Sequence, residues 1–294
     1  MRIALCLHGY FGSLTDQAST GLHGYEHIKK NILSWREAGH EVDVFVHSWQ
    51  PELQDTIDEL YSPISAHYEE QIDFEAIAEE NKVSKKYLDP YDKLGNKALA
   101  SFGGSGYVGP ERILSHFYSI QEVFRLKHEH ERILDFKYDW VIKSRFDLGR
   151  INRMTSGPGK PNPYACQCID FNPEYSPAKF YMANWDLFNE GPADMWFYGS
   201  SDMMKPFEHI YDKTLNEYLQ LGSHYARAVV TGWPESEQDN FRSNVGQTMF
   251  FAGEAPPLHC YPPHMVVNTI LLYKWFLMDQ KLWEKKMPLD GEWE

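Results

Sequence analysis

The stretch Ile3-Ala4-Leu5-Cys6-Leu7-His8-Gly9-Tyr10-Phe11-Gly12-Ser13 decides the fold class. Five consecutive apolar residues make a short strand buried on both faces, and the glycines after it open a loop. Residues 25–38 then place Ile28, Ile32, Leu33 and Trp35 on one helical stripe, with Gly39 set to cap it. Val42-Asp43-Val44-Phe45-Val46-His47 is a second buried strand. Strand, loop, helix and strand in that order predict an α/β fold: a Rossmann-like, mostly parallel central sheet flanked by helices.

Further along, Tyr138-Asp139-Trp140-Val141-Ile142-Lys143-Ser144-Arg145-Phe146-Asp147-Leu148 reads as another buried strand that runs into charge. Strand alternation puts Lys143, Arg145 and Asp147 on one face. The carboxyl end of a parallel sheet is where ligands bind. Lys143 and Arg145 suit an anionic group such as a diphosphate, and Asp147 offers a hard oxygen to Mn²⁺ or Mg²⁺. There is no Asp-x-Asp, because position 145 is Arg and position 149 is Gly. The same residues also suit a strand end closed by an exposed Arg–Asp pair.

The loop after the first strand has two readings as well. Gly9 and Gly12 let backbone N–H groups approach a phosphate or ribose, with His8 beside them and Tyr10 or Phe11 to stack on a base. An ordinary strand-to-helix turn needs the same glycines. His47 and Trp49, at the end of the second strand, fall on the same sheet edge and can hold a nucleoside or sugar, or simply close the strand. The Leu-His-Gly-x-x-Gly-Ser order also fits the oxyanion loop of an α/β-hydrolase. The elbow such an enzyme needs has only Gly103-Gly104-Ser105-Gly106-Tyr107 as a candidate, with Tyr in place of the last glycine.

Elsewhere, residues 51–80 are acidic and read as helical in part. Residues 101–107 read as a mobile loop able to close over a ligand. Pro110 opens a strong helix to about residue 136, with Ile113, Leu114, Phe117, Ile120, Val123, Phe124 and Leu126 on its core face. In that helix His128 and His130 read as solvated. Residues 157–177, rich in Pro, Gly and Asn, mark a change of lobe. Asp194 precedes an aromatic strand, Ser201 is placed to cap a helix over 202–221, and 234–237 start another. The segment 270–283 packs back on the core. Asp194 and Glu235 are candidate bases for an acceptor hydroxyl.

Composition narrows the classes. The 294 residues carry a net charge of −14, from 28 basic and 42 acidic side chains, which argues against a nucleic-acid partner. Aromatics reach 15%, and Tyr and Trp suit stacking on sugars and bases. Cys166 and Cys168 have no second pair to complete a zinc site, and no disulfide framework is visible. The longest apolar stretch, 265–278, is broken by Asn268 and Lys274 and is too short to span a bilayer. The expectation is a soluble, cytoplasmic protein.

Six segments in order resemble a known family. They are Ala4-Leu5-Cys6-Leu7-His8-Gly9, Asp43-Val44-Phe45-Val46-His47-Ser48-Trp49, Phe117-Tyr118-Ser119-Ile120, Tyr138 to Leu148, Asp194 to Met203, and Pro234-Glu235. Over residues 3–240 the chain resembles the glycosyltransferase-like proteins of large DNA viruses, phages and bacterial surface-polysaccharide clusters. The resemblance implies a GT-A-like fold, with residues 1–156 binding a nucleotide-sugar donor and 157–294 a glycan or glycoprotein acceptor. It places Arg145 and Asp147 at the family's metal and diphosphate motif, and Asp194 at its acceptor-side aspartate. His8 stands where a small residue is usual. A sugar- or nucleotide-binding module without turnover is the alternative.

Overall fold

The computed structural model describes residues 1–12, 20–83, 109–149, 168–184, 191–220, 222–231 and 268–289. Its strands are β1 (Arg2–Gly9), β2 (Glu41–Ser48), β3 (Ser65–Tyr68), β4 (Trp140–Arg145), β5 (Phe180–Ala183), β6 (Trp196–Gly199) and β7 (Lys286–Leu289). They form one sheet in the order β3-β2-β1-β4-β6-β5-β7. Strands β1 to β4 run parallel, β6 is antiparallel to both β4 and β5, and β7 is parallel to β5. The mostly parallel α/β sheet expected from the sequence is therefore present.

The helices are α1 (Thr20–Asn31), α2 (Gln54–Tyr61), α3 (Phe74–Glu80), α4 (Pro110–Leu134), α5 (Ser201–Met204), α6 (Ile210–Lys213), α7 (His224–Thr231) and α8 (Thr269–Asp279). Strand alternation sorts the core into two layers. Ile3, Leu5 and Leu7 of β1 join Ile28 of α1, Ile32 just past its end and Ile57 of α2 on one face. Ala4 and Cys6 join Phe117, Ile120 and Phe124 of α4 and Leu271 of α8 on the other. The expected return of segment 270–283 to the core is met by α8. Among the described residues no helix is long and apolar enough to cross a membrane.

Helix α4 is the spine of its face. Pro110 at its first turn is preorganised for a helix start, and Asp135 ends it in the left-handed region at φ 51°. Lys127, fully buried on α4, donates to Glu131 and to the Ser201 hydroxyl, each at 2.8 Å. Glu131 also accepts from the Tyr138 backbone N–H at 2.9 Å. This ion pair ties α4 to α5 and to the entry of β4.

Several expectations are corrected. The first helix begins earlier and ends at Asn31, followed by a 3₁₀ turn over Leu33–Arg36. The single helix expected over 202–221 is instead α5, a 3₁₀ turn (Lys205–His209), α6 and a π turn (Thr214–Tyr218). Pro206 supplies no N–H to continue α5, and the Thr214 hydroxyl donates to the Ile210 carbonyl. Ser200, not Ser201, holds the N-cap position, without a side-chain cap bond, and the Ser201 hydroxyl accepts from Lys127 and donates to Glu131. His8 lies inside β1 rather than in a loop. His128 and His130 are not solvated. His128 Nδ1 lies 2.6 Å from Glu208, and the His130 ring stacks on Tyr138. The loop 101–107, the segment 234–237 and Cys166 lie outside the described residues.

Candidate functional site

From β1 the chain runs outward to β2 and β3, then returns to the other side of β1 as β4. The β1/β4 boundary is thus a topological switch point, and ligands of open α/β sheets bind in the crevice beyond the strand ends there. A cleft of about 810 Å³ occupies that position. His8, Gly9 and Tyr10 come to it from β1, Arg145 and Asp147 from β4, and Asp194 from the approach to β6. The first two turns of α4 close it with Arg112, Ser115 and His116, and Trp49 and Phe74 add apolar wall.

Arg145 is the hub. Its Nε and one Nη donate to the two oxygens of Asp147 at 2.8 and 2.6 Å, and its other Nη donates to Asp194 at 3.0 Å. Burial alone would lower the guanidinium's pKa, but Asp194 and Asp147 outweigh it and keep the cation more firmly protonated. Burial would likewise raise the Asp194 carboxyl, but Arg145, with His116 and Lys143, holds it well below the usual carboxylate range. Asp194 is therefore ionised at working pH and a weak base.

Behind Asp194, His116 Nε2 shares a 2.7 Å hydrogen bond with the Tyr273 hydroxyl and lies 3.7 Å from Asp194 Oδ2. Burial pulls His116 down to about 3, so its imidazole is neutral. His8 meets the His116 ring edge-on at 5.2 Å between centroids. It is 2% exposed, and neither of its ring nitrogens has a hydrogen-bond partner among the described residues. Burial, and then Lys143, keep His8 well below the ordinary histidine value. A neutral imidazole beside the cleft thus keeps both nitrogens buried and without a partner among the described residues.

The backbone around these groups is set by sequence. Gly9 ends β1 at φ +98°, a region that favours glycine, and turns the chain out of the sheet. Gln50 then clamps the loop: its side chain accepts from Gly12 N–H at 2.9 Å and donates to Gly12 carbonyl at 3.0 Å. Tyr10, 55% exposed at the rim, donates to Gln71 at 2.9 Å.

Of the residues singled out in the sequence, the cleft gathers His8, Gly9, Tyr10, Trp49, Arg145, Asp147 and Asp194. Lys143 and His47 are not on its wall. Lys143 is buried, donates to the Asp194 carbonyl, and lies over the Phe197 and Tyr273 rings. Burial lowers it to about 7. His47 is buried behind Trp49, with ring centroids 4.7 Å apart. Asp147 lies in the turn past the end of β4, and its carboxylate is forked onto a part-buried guanidinium rather than an exposed one. Glu235 and Ser105 lie outside the described residues.

A divalent cation does not fit at Asp147 as it is placed. Both of its oxygens, and Asp194 Oδ2, accept from Arg145, so a metal there would sit against a fixed guanidinium. His116, Ser115 and Arg112 escaped the sequence reading because a histidine beside the apolar stripe of a helix looks like packing. Only the adjacency of His116 to the Phe117-Tyr118-Ser119-Ile120 segment pointed to it. No known family model matches the chain, and no curated protein matches it.

Proposed function

We propose that the chain is a glycosyltransferase with a GT-A-like fold, acting from the cytoplasm, that moves a sugar from a nucleotide-sugar donor to a hydroxyl of a glycan or glycoprotein. The observation that carries this reading is the position and state of Arg145. It stands at the β1/β4 switch point, fixed by two carboxylates that use three of its five N–H groups. Two N–H groups, one on each terminal nitrogen, remain to donate to phosphate oxygens. Arg112, with no carboxylate partner among the described residues, stands on the opposite wall at the start of the 25-residue α4, where Glu111, Asp73 and Glu75 also line the cleft.

In this reading the acceptor hydroxyl oxygen bonds to the anomeric carbon as the bond from that carbon to the phosphate oxygen breaks, and the electron pair of the broken bond leaves with the diphosphate, whose charge Arg145 meets. The ionised Asp194 stabilises the positive charge that develops on the sugar. His8 accepts a hydrogen bond from a sugar hydroxyl. Glu235 is the candidate acceptor of the hydroxyl proton, since Asp194 is too weak a base.

The test is binding followed by turnover. Melting temperature is measured with UDP-, GDP-, CMP- and dTDP-sugars, each with and without Mn²⁺ or Mg²⁺, because a ligand that binds only the native state raises it. The best donor is then incubated with the protein and its release of free sugar or transfer product is followed. Stabilisation by one nucleotide class together with donor cleavage supports the transferase. Stabilisation without cleavage favours a binding module, a reading consistent with both carboxylates being tied to Arg145. No stabilisation by any donor removes the proposal.

A further inference from the structure

We propose that His47, His67 and Glu69 form a binding site for a transition-metal dication of the zinc class. Sheet register builds it. His47 on β2 and His67 on β3 are direct partners across adjacent parallel strands, so their side chains leave the same face side by side. Glu69 follows His67 by two residues, and its N–H donates to the Ser48 carbonyl at 3.1 Å, which extends the ladder and keeps it on that face.

Metal-ligating atoms of the three side chains all lie within 4.8 Å of one another. Glu69 Oε1 is 2.9 Å from His47 Nε2 and 4.0 Å from His67 Nδ1. Ligands at zinc distances in a tetrahedron sit about 3.4 Å apart, between these two values, so small rotations bring all three onto one ion. The other nitrogen of the deepest ligand is already fixed. His47 Nδ1 is 2.7 Å from the Ser119 hydroxyl, the outer partner that orients a metal-binding imidazole. Trp49 packs against the His47 ring and holds its plane.

The ligand types choose the metal. Two imidazoles and one carboxylate suit Zn²⁺ and its neighbours and not Mg²⁺ or Ca²⁺, which take oxygen sets. The His67 side chain is 42% exposed and Glu69 23%, while His47 is fully buried. The site is therefore open on one side, and three protein ligands leave a fourth position for water.

The test uses the full chain, stripped with a chelator and dialysed. Zn²⁺ is titrated calorimetrically, and Co²⁺ is added as a probe whose visible absorption reports four-coordination. His67→Ala and Glu69→Gln are the variants, chosen because both positions are solvent-accessible, and urea unfolding without metal confirms that they fold. The expected result is one zinc per chain, a four-coordinate cobalt spectrum, and affinity reduced about tenfold or more in each variant. Absence of zinc binding by the wild-type chain overturns the proposal. So does binding that His67→Ala leaves unchanged, which would place the ion at other histidines or cysteines.

Discussion

His8 and Arg145 are register partners on the adjacent parallel strands β1 and β4, and they face the same side of the sheet. His8 pairs in turn with His47 on β2, and His47 with His67 on β3. One row of polar side chains therefore crosses four strands beneath α4, where apolar residues would pack best. His8 is the costliest member, because its ring nitrogens are buried without partners, and an orphaned buried polar group costs about 1–3 kcal/mol.

A group kept at that cost and freed of it should reveal itself by opposite effects on stability and binding. His8→Phe keeps a flat ring of similar size and removes the orphaned nitrogens. Its unfolding free energy in urea should equal or exceed that of the wild type, by up to about 1–3 kcal/mol, while donor binding weakens. A variant that loses stability and keeps binding would mean that the imidazole serves packing alone.

Arg145→Lys preserves the charge and destroys the fork. A lysine ammonium cannot bridge both oxygens of Asp147 and also reach Asp194 in the observed plane. Donor affinity, read by calorimetry, should fall at least about tenfold, as expected for a lost bidentate charge-assisted contact. Retention of affinity in this variant would show that the phosphates bind elsewhere in the cleft.

The parallel sheet was legible in the sequence because β1, β2 and β4 are apolar runs buried on both faces. Of the short strands only β6 was, as the aromatic strand after Asp194. Ser65-Ala66-His67-Tyr68 of β3 has no apolar run, and β7, an edge strand carrying Pro288, is mostly exposed. The strand ends marked out His8, Arg145 and Asp147, since a charge after a buried run is conspicuous. The partners of Arg145 were partly visible, but its hub role was not, because Asp194 reaches it from 49 residues away. Lys143 was misplaced as a ligand contact for a related reason: alternation gives the face of a residue but not its depth, and Lys143 lies under Asp194 with aromatic rings around it.

The turn carrying Asp147 depends on a glycine in α1. A Cβ built on Gly24 would lie 1.6 Å from the carbonyl oxygen of Phe146, so that helix and turn approach as only glycine allows. Gly24→Ala must push the turn away, at about 1–3 kcal/mol for overpacking, and with it the Asp147 side of the Arg145 fork. Denaturant unfolding should show the loss of stability, and donor affinity should fall with it. An unchanged midpoint would mean that α1 shifts freely against the turn.

The buried Lys127–Glu131 pair should be far more sensitive to losing one member than any surface pair. Lys127→Ala leaves Glu131, 8% exposed, without its cation and with only Ser201 and the Tyr138 N–H as partners. The expected cost is about 3–5 kcal/mol. The comparison is Arg132→Ala, which breaks the exposed Glu129 pair and should change the urea midpoint little.

Acid should destabilise the protein well before its carboxylates protonate. Burial, then Lys30, lowers His27 from 6.5 to about 4, and burial lowers His116 to about 3. His27 Nε2 accepts from the Ile169 N–H at 3.0 Å, a bond that protonation of that nitrogen would break. Between the unfolded and folded values the unfolded chain binds more protons, so stability rises with pH in that window and is lost as pH falls below about 6.5. His27 alone accounts for up to about 3 kcal/mol by pH 4, from a shift of that size. Asp194 does not mask this. Its depressed pKa gives stability that is complete above the unfolded value of 3.8 and declines only at lower pH. Urea midpoints at pH 7.5, 6 and 5 should therefore fall in order. His27→Gln should flatten the dependence by up to one proton, about 1.4 kcal/mol per pH unit. A midpoint constant from pH 7.5 to 5 would mean that these imidazoles are accessible enough to charge in the folded protein.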